Sequence, residues 1–595
     1  MLAQMPVEHV PGYFVALHAW IALAGETDFA LRYFSLLPSV WAVALIYRLG
    51  ADLGGRGAGL AAALLLASSG FQVWYAQEAR MYSWLLALGL LATIAYWRLL
   101  LRPGWGVWAL YVLAVTGTVY LHYFGFLVPL SHAAFAPIWW LTRRDRRGLV
   151  WWVGAGAAAA LLFAPWALRA WALLGFEGWR APLDPMQAPW LLLRAYTVGE
   201  TMPAPWDARL PWLYLVLAGL GLFLWTRRNK LAGLFLGTLM IAALAVVWLL
   251  VVRQPDFHVR YPIWISVPLL LLAAGGLFPP QRRVYRKGRK ERKEGAEEEK
   301  KETKEGGEEW AGRGRVGAGV GRTIGAGVLA GLVIANGVAL DRLYTDTTLH
   351  KPDFRGAAQT ITAGIGPDDV VLVDGPNPEL VFTHYYAGAA PVHDLRGLEG
   401  ASAEEVAAAL AAATAGKSTA WELLYFHAPG PVQVWLATHG WPSAPSDHNG
   451  IRVLAYALDR GPLALQPVGV TFGGALLLAE AGMEGPQAIP GALLRVTTRW
   501  EVIAPPPDYK FSLRLLGSEG QVLAADDYVP QGWFAPTSTW AVGRPATDQH
   551  ALRLPDDLAP GRYAVTLRLY DPATGMAVET VAGQDVPLGE VEIAP

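Results

Sequence analysis

The chain has 595 residues, of which 54% are hydrophobic and 16% are charged, and its formal net charge is −1. This length and a mean hydropathy of +0.30 exclude a single small soluble domain, and the near-zero net charge gives no reason to expect nucleic-acid binding. The absence of Cys excludes disulfide bonds and thiolate metal sites, while 64 Gly and 27 Trp are typical of polytopic membrane proteins.

Apolar stretches that are long enough, or nearly long enough, to cross a bilayer recur between residues 29 and 340. We predict ten transmembrane helices, at 29–49, 57–73, 84–101, 106–120, 125–141, 149–165, 210–226, 231–252, 263–279 and 322–340. The shorter stretch Tyr13–Ala24 is interpreted as a helix in the membrane interface. Residues 1–28 are therefore a partial outer loop with an interfacial helix, and 29–280 form a bundle of about nine helices.

Basic residues occupy alternate loops of this helix series, which indicates the orientation of the chain. They are Arg48, Arg56, Arg98, Arg102, Arg143, Arg144, Arg146, Arg147, Arg227, Arg228 and Lys230, and the charged tract 281–321 follows on the same side. The positive-inside rule assigns this side to the cytoplasm, so that 281–321 is a charged cytoplasmic linker and 322–340 is the last transmembrane helix. Residues 1–28 and everything after about 341 are then extracytoplasmic.

After the last predicted helix, the composition becomes that of a soluble protein. Residues 341–461 combine a strand-like run (VVLVD, 370–374) with an Ala-rich helical stretch (SAEEVAAALAAATAG, 402–416), which predicts a small α/β domain. Residues 462–595 contain short alternating runs separated by turn signals, which predict an antiparallel β-sandwich. Its aromatic residues Tyr528, Trp533 and Trp540 are either exposed platforms for sugar rings or parts of the core.

Polar residues cluster at the extracytoplasmic ends of the predicted helices. The clusters contain Glu8 and His9; Gln77, Glu78, Arg80 and Tyr82; His122 and Tyr123; and Asp256, His258, Arg260 and Tyr261. A charged side chain at a membrane rim is costly unless it is paired or faces water, and each cluster taken alone is explained by a rim pair or a structural His. Four clusters on one side of one bundle favour a binding site, and Arg is suited to phosphate because its guanidinium offers two parallel donors.

The motifs that contain these residues resemble a known family. They are PVEHVPGYFVALHAW (6–20), FALRYFSLLPSV (29–40), WYAQEARMYSWLLAL (74–88), LHYFGFLVPL (121–130) and HVRYPIWISVP (258–268). Over residues 6–280 the chain is similar to the dolichyl-phosphate-mannose–protein mannosyltransferase-like superfamily, the GT-C glycosyltransferases of family 39 type, in its bacterial form. The segments HKPDFRGAAQTI…GPDDVVLVD (350–374), 508–527 and 553–575 resemble the extracytoplasmic domains that follow such bundles.

The resemblance implies an inverting sugar transfer from a polyprenyl-phosphate donor to an acceptor protein, lipid or polysaccharide at the outer face of the cell membrane. It implies Glu8 and Glu78 as candidate catalytic carboxylates. It places the donor phosphate on His9, Arg80, Arg260 and Tyr261. The sugar or acceptor pocket would be formed by Gln77, Tyr82, His122, Tyr123 and His258. A divalent metal remains open, although no ligand spacing points to one.

The chain also departs from the family, whose members have a further N-terminal transmembrane helix and, in the loop after it, an Asp regarded as the catalytic base. We expect this helix and this Asp to precede Met1. HVP also stands where the family has HPP. Two alternatives follow: a catalytically inactive membrane-anchored surface or glycan-binding protein, and a transporter of lipid-linked sugars. A transporter would need polar residues in mid-membrane and paired repeats, and the sequence shows neither.

Overall fold

The computed structural model describes residues 9–170, 183–253, 257–281, 308–426, 430–459, 461–531 and 535–594, with the backbone alone for 308–319. The chain forms two compact units, Met1–Leu349 and His350–Pro595. The first unit is a helical bundle, and the second consists of an α/β lobe followed by two antiparallel sheets. The predicted fold class is confirmed: a polytopic helical membrane bundle, then a small α/β domain, then a β-sandwich.

The first unit is built almost entirely from helices, and most of them coincide with the apolar stretches of the sequence. They are α1 (Gly12–Ala24), α2 (Asp28–Gly54), α3 (Arg56–Ser68), α4 (Gly70–Ala76), α5 (Tyr82–Leu101), α6 (Trp105–Leu121), α7 (Leu127–Arg143), α8 (Arg147–Ala170), α9 (Ala188–Val198), α10 (Trp206–Arg228), α11 (Lys230–Arg253), α12 (Ser266–Leu277) and α13 (Glu308–Thr345). α9 lies within a stretch that the sequence analysis treated as outer loop, and α13 begins inside the predicted linker. Residues 282–307 of that linker lie outside the described residues.

Seven helices of the described part are long and apolar enough to cross a membrane, or eight if the bent pair α3 and α4 is counted as one span. Helix α6 and the segment Ile263–Leu277 are apolar but shorter. All ten predicted stretches are therefore helical, while the number of spans by length and composition is smaller than ten. The chain is a multi-pass membrane protein.

The bend between α3 and α4 sets the position of the first polar turn. The two helices meet at 60°, at Ser69, whose hydroxyl accepts a hydrogen bond from the backbone N–H of Gln72 at 3.4 Å. The side chain of Gln72 in turn donates to the buried hydroxyl of Ser266 at 3.1 Å. A Ser that caps the second helix starts it in a new direction, and the short α4 then ends at the turn Gln77–Met81.

Helices α10 and α12 pack with their backbones unusually close, and this requires glycine. A Cβ atom at Gly221 would overlap the carbonyl oxygen of Leu272, whereas nothing lies within 4 Å of a Cβ at Gly219, two residues earlier on the same helix. Small residues allow this kind of close approach between membrane helices.

We expect the substitution Gly221→Ala to destabilise the bundle by about 1–3 kcal/mol, because one of the two backbones must move. The matched substitution Gly219→Ala should leave stability unchanged or raise it slightly, because it adds a methyl group in open space and favours the helix. Thermal unfolding of both variants in detergent tests this, and equal midpoints would contradict it.

The second unit begins with a six-stranded sheet that carries helices on both sides. Its strands are β1 (Val370–Asp374), β2 (Val392–Asp394), β3 (Thr419–Tyr425), β4 (Gly440–Pro442), β5 (Ser446–Asp447) and β6 (Ile451–Leu458). The order is β2-β1-β3-β6-β4, with β5 beside β6. β1 is parallel to β2 and β3, while β6 is antiparallel to its neighbours. The helices are α14 (Phe354–Gly364), α15 (Glu379–Tyr385), α16 (Ala403–Thr414) and α17 (Pro431–His439).

A carboxyl group lies in the centre of this sheet. Glu422 on β3 has no exposed surface. It accepts hydrogen bonds from Gln433 at 2.6 Å and from the hydroxyl of Tyr456 at 3.0 Å. The same Gln433 amide nitrogen donates to Asp374 at 2.9 Å. Burial raises the pKa of Glu422 to about 7, against the hydrogen bonds that lower it.

This raised pKa makes the stability of the α/β lobe pH-dependent. Between the ordinary value of 4.5 and about 7, the folded state retains a proton that the unfolded state releases, so the free energy of unfolding falls as the pH rises through this window. We expect Glu422→Gln to remove that slope and to stabilise the lobe at pH 8 by roughly 3 kcal/mol at most. Hydrogen exchange of the β3 amides at pH 5 and pH 8 measures the effect, and the same slope in both proteins would contradict it.

The remaining residues form two sheets that share one hydrophobic core. One sheet has the order β13-β10-β8-β7 and the other β12-β11-β14-β15-β9. Their strands are β7 (Gln466–Phe472), β8 (Leu476–Met483), β9 (Gln487–Ala488), β10 (Leu493–Val502), β11 (Lys510–Leu516), β12 (Val522–Tyr528), β13 (Pro545–Arg553), β14 (Gly561–Tyr570) and β15 (Val586–Ile593). Apart from the short parallel pair β15–β9, neighbouring strands are antiparallel.

The interpretation of the sandwich aromatics as exposed sugar platforms is wrong for Tyr528 and Trp540. Their exposed fractions are 6% and 8%, and both belong to the core cluster. Tyr528 donates a hydrogen bond to the buried carboxylate of Asp548 at 2.8 Å, and Trp540 lies 6.3 Å from the fully buried ring of Trp500. The two rings fill the space between the sheets, which confirms the interpretation that they are parts of the core. Trp533 lies outside the described residues.

Candidate functional site

Polar turns at one end of the bundle converge on the guanidinium of Arg260. The carboxylate of Glu78, in the turn after α4, lies 4.0 Å from the nearest guanidinium nitrogen. The guanidinium carbon lies 5.4 Å from the ring centre of Tyr82 and 5.9 Å from that of Tyr261. Glu78 and Tyr82 are far from Arg260 and Tyr261 in the sequence, so the contact between these two turns is a product of the bundle.

The turn that carries Arg260 is held by its own side chains and by α9. The backbone N–H of Arg260 donates to Nδ1 of His258 at 3.3 Å, and the N–H of Tyr261 donates to the His258 carbonyl at 3.0 Å. The hydroxyl of Tyr196 on α9 donates to the carbonyl of Val259 at 2.7 Å. These three bonds fix the backbone from which the Arg260 side chain extends.

At least one hydrogen-bond donor of the Arg260 guanidinium is unused among the described residues. Its side chain is only 23% exposed, and its Nε is buried without a hydrogen bond to any residue that the structure describes. Its ion pair with Glu78 has a separation of 4.0 Å, which is longer than a direct charge-assisted hydrogen bond. A buried donor left unsatisfied carries a free-energy cost, so the arrangement favours an additional anionic partner.

The side chain of Glu78 is held in place by a residue of α4. Its side chain is 11% exposed, and one of its carboxylate oxygens accepts a hydrogen bond from the indole nitrogen of Trp74 at 3.3 Å. Trp74 lies one helical turn earlier on α4. This bond orients the carboxylate towards Arg260.

Glu200 is a second carboxylate of this site, and the sequence analysis missed it. It follows α9 directly, after Gly199, and part of its side chain is open to solvent. Burial by the surrounding protein raises the pKa of Glu200, the nearby positive charge of Arg260 lowers it, and the negative charge of Glu78 raises it again. Glu200 therefore shares an electrostatic environment with the Arg260–Glu78 pair.

Aromatic rings and a neutral His form a wall beside Arg260. The ring of His122 lies 5.1 Å from that of Tyr261 and 5.9 Å from that of Tyr82. Burial lowers the pKa of His122 to about 3, and the positive charge of Arg260 adds to this effect. Its Nδ1 accepts a hydrogen bond from the Phe124 N–H at 3.1 Å, so in the neutral imidazole the proton lies on Nε2.

The other predicted site residues lie at varying distances from this cluster. The side chain of Arg80 is exposed, while its carbonyl accepts a hydrogen bond from the hydroxyl of Ser35 at 2.9 Å. Gln77 donates to the hydroxyl of Tyr344 on α13 at 2.6 Å. Tyr123 accepts from the indole of Trp166 at 3.1 Å and belongs to a separate apolar cluster. The ring of His9 lies 5.9 Å from that of Phe14, and Glu8 lies outside the described residues.

The structure thus brings together Glu78, Tyr82, His122, His258, Arg260 and Tyr261 from the predicted site. Tyr123 packs elsewhere, and Gln77 holds the last helix of the bundle. No three His, Asp or Glu side chains of the described part lie close enough to one another to hold a metal ion.

Comparisons with known proteins give only distant likenesses. No family model matches the chain, and no curated protein does. Among solved structures, the chain is similar to ArnT from Cupriavidus metallidurans in the apo state, at 14% identity, with 76% of this chain and 88% of that chain covered and a TM-score of 0.49.

Two further solved structures resemble the chain. The same ArnT bound to undecaprenyl phosphate has 14% identity, the same coverage and a TM-score of 0.46. The arabinosyltransferase EmbB from Mycobacterium smegmatis has 13% identity and a TM-score of 0.35, with 99% of this chain and 60% of that chain covered. All three TM-scores are below 0.5.

Proposed function

We propose that the chain is a membrane glycosyltransferase that moves a sugar, with inversion, from a polyprenyl-phosphate donor to an acceptor on the extracytoplasmic side. The observation that carries the proposal is Arg260, a largely buried guanidinium at the end of a membrane bundle with an unsatisfied Nε and a carboxylate on its flank. Such a group is suited to a phosphate that arrives on a membrane lipid, because the guanidinium can bind two phosphate oxygens at once.

The reaction assigned to this site breaks one bond and forms one. The acceptor hydroxyl oxygen attacks the anomeric carbon on the face opposite the phosphate, and the bond between that carbon and the phosphate oxygen breaks. The electron pair of the broken bond stays with the phosphate, which departs, and the hydroxyl proton goes to a carboxylate. Arg260 stabilises the negative charge that develops on the leaving phosphate, which is where preorganised positive charge accelerates a reaction.

Two carboxylates of the described residues act on Arg260. We assign Glu200 the role of general base and Glu78 the role of positioning Arg260. The raised pKa of Glu200 makes it a stronger base than an ordinary carboxylate. Glu78 is bound by Trp74 and faces the guanidinium. The exposed Arg80, in the same turn as Glu78, supplies further positive charge at the entrance.

The aromatic wall is assigned to the sugar. Tyr82, His122 and Tyr261 present ring faces and edges beside Arg260, and a neutral His122 offers its Nε2–H as a donor to a sugar hydroxyl. His258 is assigned the role of holding the loop through its hydrogen bond to the Arg260 backbone. No step is assigned to a metal ion.

The orientation proposed for the chain follows from the alternation of its helices. The turn that carries Glu78 precedes α5, and the basic residues Arg98 and Arg102 lie at the other end of that helix. If the positive-inside rule holds, the site and the second unit are both extracytoplasmic.

A turnover assay tests the proposed function. The purified full chain in lipid nanodiscs is supplied with a radiolabelled sugar on polyprenyl phosphate, and release of the label into water or onto an added acceptor is measured. We expect time-dependent release. Saturable binding of the donor without any turnover would instead favour the inactive, glycan-binding alternative. Movement of intact donor across the bilayer of proteoliposomes that contain the chain would favour a transporter.

A further inference from the structure

The second unit contains a cavity of about 310 Å³ at the junction between its α/β lobe and its β-sandwich. The α/β lobe contributes the loop before β1 and the start of β3, and the sandwich contributes β9 and the ends of β10 and β13. The two lobes are joined here by buried contacts, among them a hydrogen bond from the indole of Trp441 to Thr497 at 2.9 Å. The cavity therefore has walls from two parts of one compact unit.

Arg553 is the distinctive residue of this cavity. It lies at the last position of β13, and its guanidinium carbon lies 5.7 Å from the ring centre of Trp421. One guanidinium nitrogen also packs against Gly364, where a Cβ would approach it to 2.7 Å. Among the described residues, this guanidinium has an aromatic face beneath it but no ion pair and no hydrogen-bond acceptor.

The ring beneath Arg553 is itself fixed. Trp421 is 5% exposed, and its indole nitrogen donates to the carboxylate of Asp369 at 3.3 Å. Asp369 also accepts from the N–H of Gly366 at 2.7 Å. A guanidinium that lies on an immobile aromatic ring loses little further freedom when an anion binds to it.

The rest of the lining offers polar groups of the kind that bind hydroxyls. Ser418, Thr419 and Gln487 face the cavity, and none of their side chains makes a hydrogen bond within the part of the chain that the structure describes. Arg495 also lines it, but its guanidinium already lies 3.3 Å from the carboxylate of Glu484. The cavity thus combines one uncommitted positive charge with several uncommitted hydroxyl and amide groups.

We propose that this cavity binds an anionic saccharide, a sugar unit that carries a carboxylate or a phosphate, with the anionic group on Arg553. The positive charge selects the anion, and the hydroxyl and amide groups select a polyhydroxylated body over a simple ion. The volume is of the size that one or two sugar rings occupy. This site is separate from the membrane site, and it does not depend on the function proposed for that site.

The test measures binding to the full chain in detergent by calorimetry with four probes: glucuronate, glucose 1-phosphate, neutral glucose and inorganic phosphate. We expect both anionic sugars to bind more tightly than glucose and than inorganic phosphate. Arg553→Gln should weaken their binding at least tenfold, and Arg553→Lys should weaken it less. Arg544→Gln, which removes an exposed Arg of the same sandwich outside the cavity, should have no effect.

A second variant separates the saccharide from its charge. Gln487→Ala should weaken binding of the anionic sugars and leave binding of inorganic phosphate unchanged, with the thermal midpoint of the protein unaltered. The proposal is overturned if no anionic sugar binds, if Arg553→Gln behaves like Arg544→Gln, or if inorganic phosphate binds as tightly as glucose 1-phosphate.

Discussion

Replacement of Arg260 by Gln should lower the rate of sugar transfer by about 10²–10³-fold, the effect of removing one preorganised group from a developing negative charge. The side chain is largely buried, and its Nε has no hydrogen-bond partner among the described residues, so this donor is available to a bound phosphate. Arg260→Lys should recover part of the rate, because it keeps the charge but loses the planar pair of donors. The measurement is single-turnover transfer from a labelled polyprenyl-phosphate sugar.

The matched control for this experiment is Arg209→Gln. Arg209 is an exposed Arg on α10 whose guanidinium lies 6.0 Å from the ring of Trp206, so this variant also removes an Arg that lies over an aromatic ring. We expect it to transfer sugar at the wild-type rate. If Arg260→Gln also retained the wild-type rate while remaining folded, Arg260 would not bind the phosphate in the transition state.

Replacement of Glu200 by Gln should lower the rate by about 10²–10⁴-fold, which is the range that a general base contributes. Gln has the same shape but cannot accept the proton of the acceptor hydroxyl. Glu78→Gln should act differently and mainly raise the KM for the donor, because Glu78 is assigned to holding Arg260 and not to proton transfer. The variant Glu26→Gln, an exposed carboxylate in the loop between α1 and α2, is the control.

The pH dependence of transfer gives an independent test of the role of Glu200. A general base works only when deprotonated, so the rate should fall as the pH falls through the pKa of Glu200. Since burial raises that pKa, the fall should begin at a higher pH than for an ordinary carboxylate. In Glu200→Gln the remaining rate should lack this acidic limb. An unchanged limb in that variant would place the general base on another residue.

Much of the bundle could be predicted from the sequence, because a transmembrane helix is specified by a single property, a long apolar run. The ten apolar stretches are all helical. The sequence could not show that one of them bends by 60° at Ser69, because a Ser followed by Gly is as compatible with a continuous helix as with a new cap. The bend depends on packing against the rest of the bundle.

Part of the candidate site stood out in the sequence for a similar reason. Charged and aromatic residues at the ends of apolar helices are costly without a role, and Glu78, His122 and Arg260 all stood out on that ground. Glu200 did not, because it lies between α9 and α10 in a long stretch without a clear apolar period, where an acidic residue is unremarkable. Only the fold brings it near Arg260.

For the sandwich aromatics, one of the two interpretations of the sequence gave them exposed positions that the structure does not have. Trp540 follows Pro536 and a Ser/Thr-rich turn, a context that suggests an exposed loop, yet the structure buries it against Trp500 and Phe511. A loop that closes one edge of a sandwich can turn its large ring inwards, and no local pattern reports that. The polar cavity around Arg553 was invisible in the sequence for the same reason, because its walls come from segments more than a hundred residues apart.

The most direct test of the central claim is a cryo-electron microscopy structure of the full chain in nanodiscs with polyprenyl phosphate. The account predicts phosphate density within hydrogen-bond distance of the Arg260 guanidinium, about 3 Å, beside Glu78 and the wall of Tyr82, His122 and Tyr261. Phosphate density bound only to other basic residues, such as Arg143–Arg147 at the opposite end of the bundle, would contradict it.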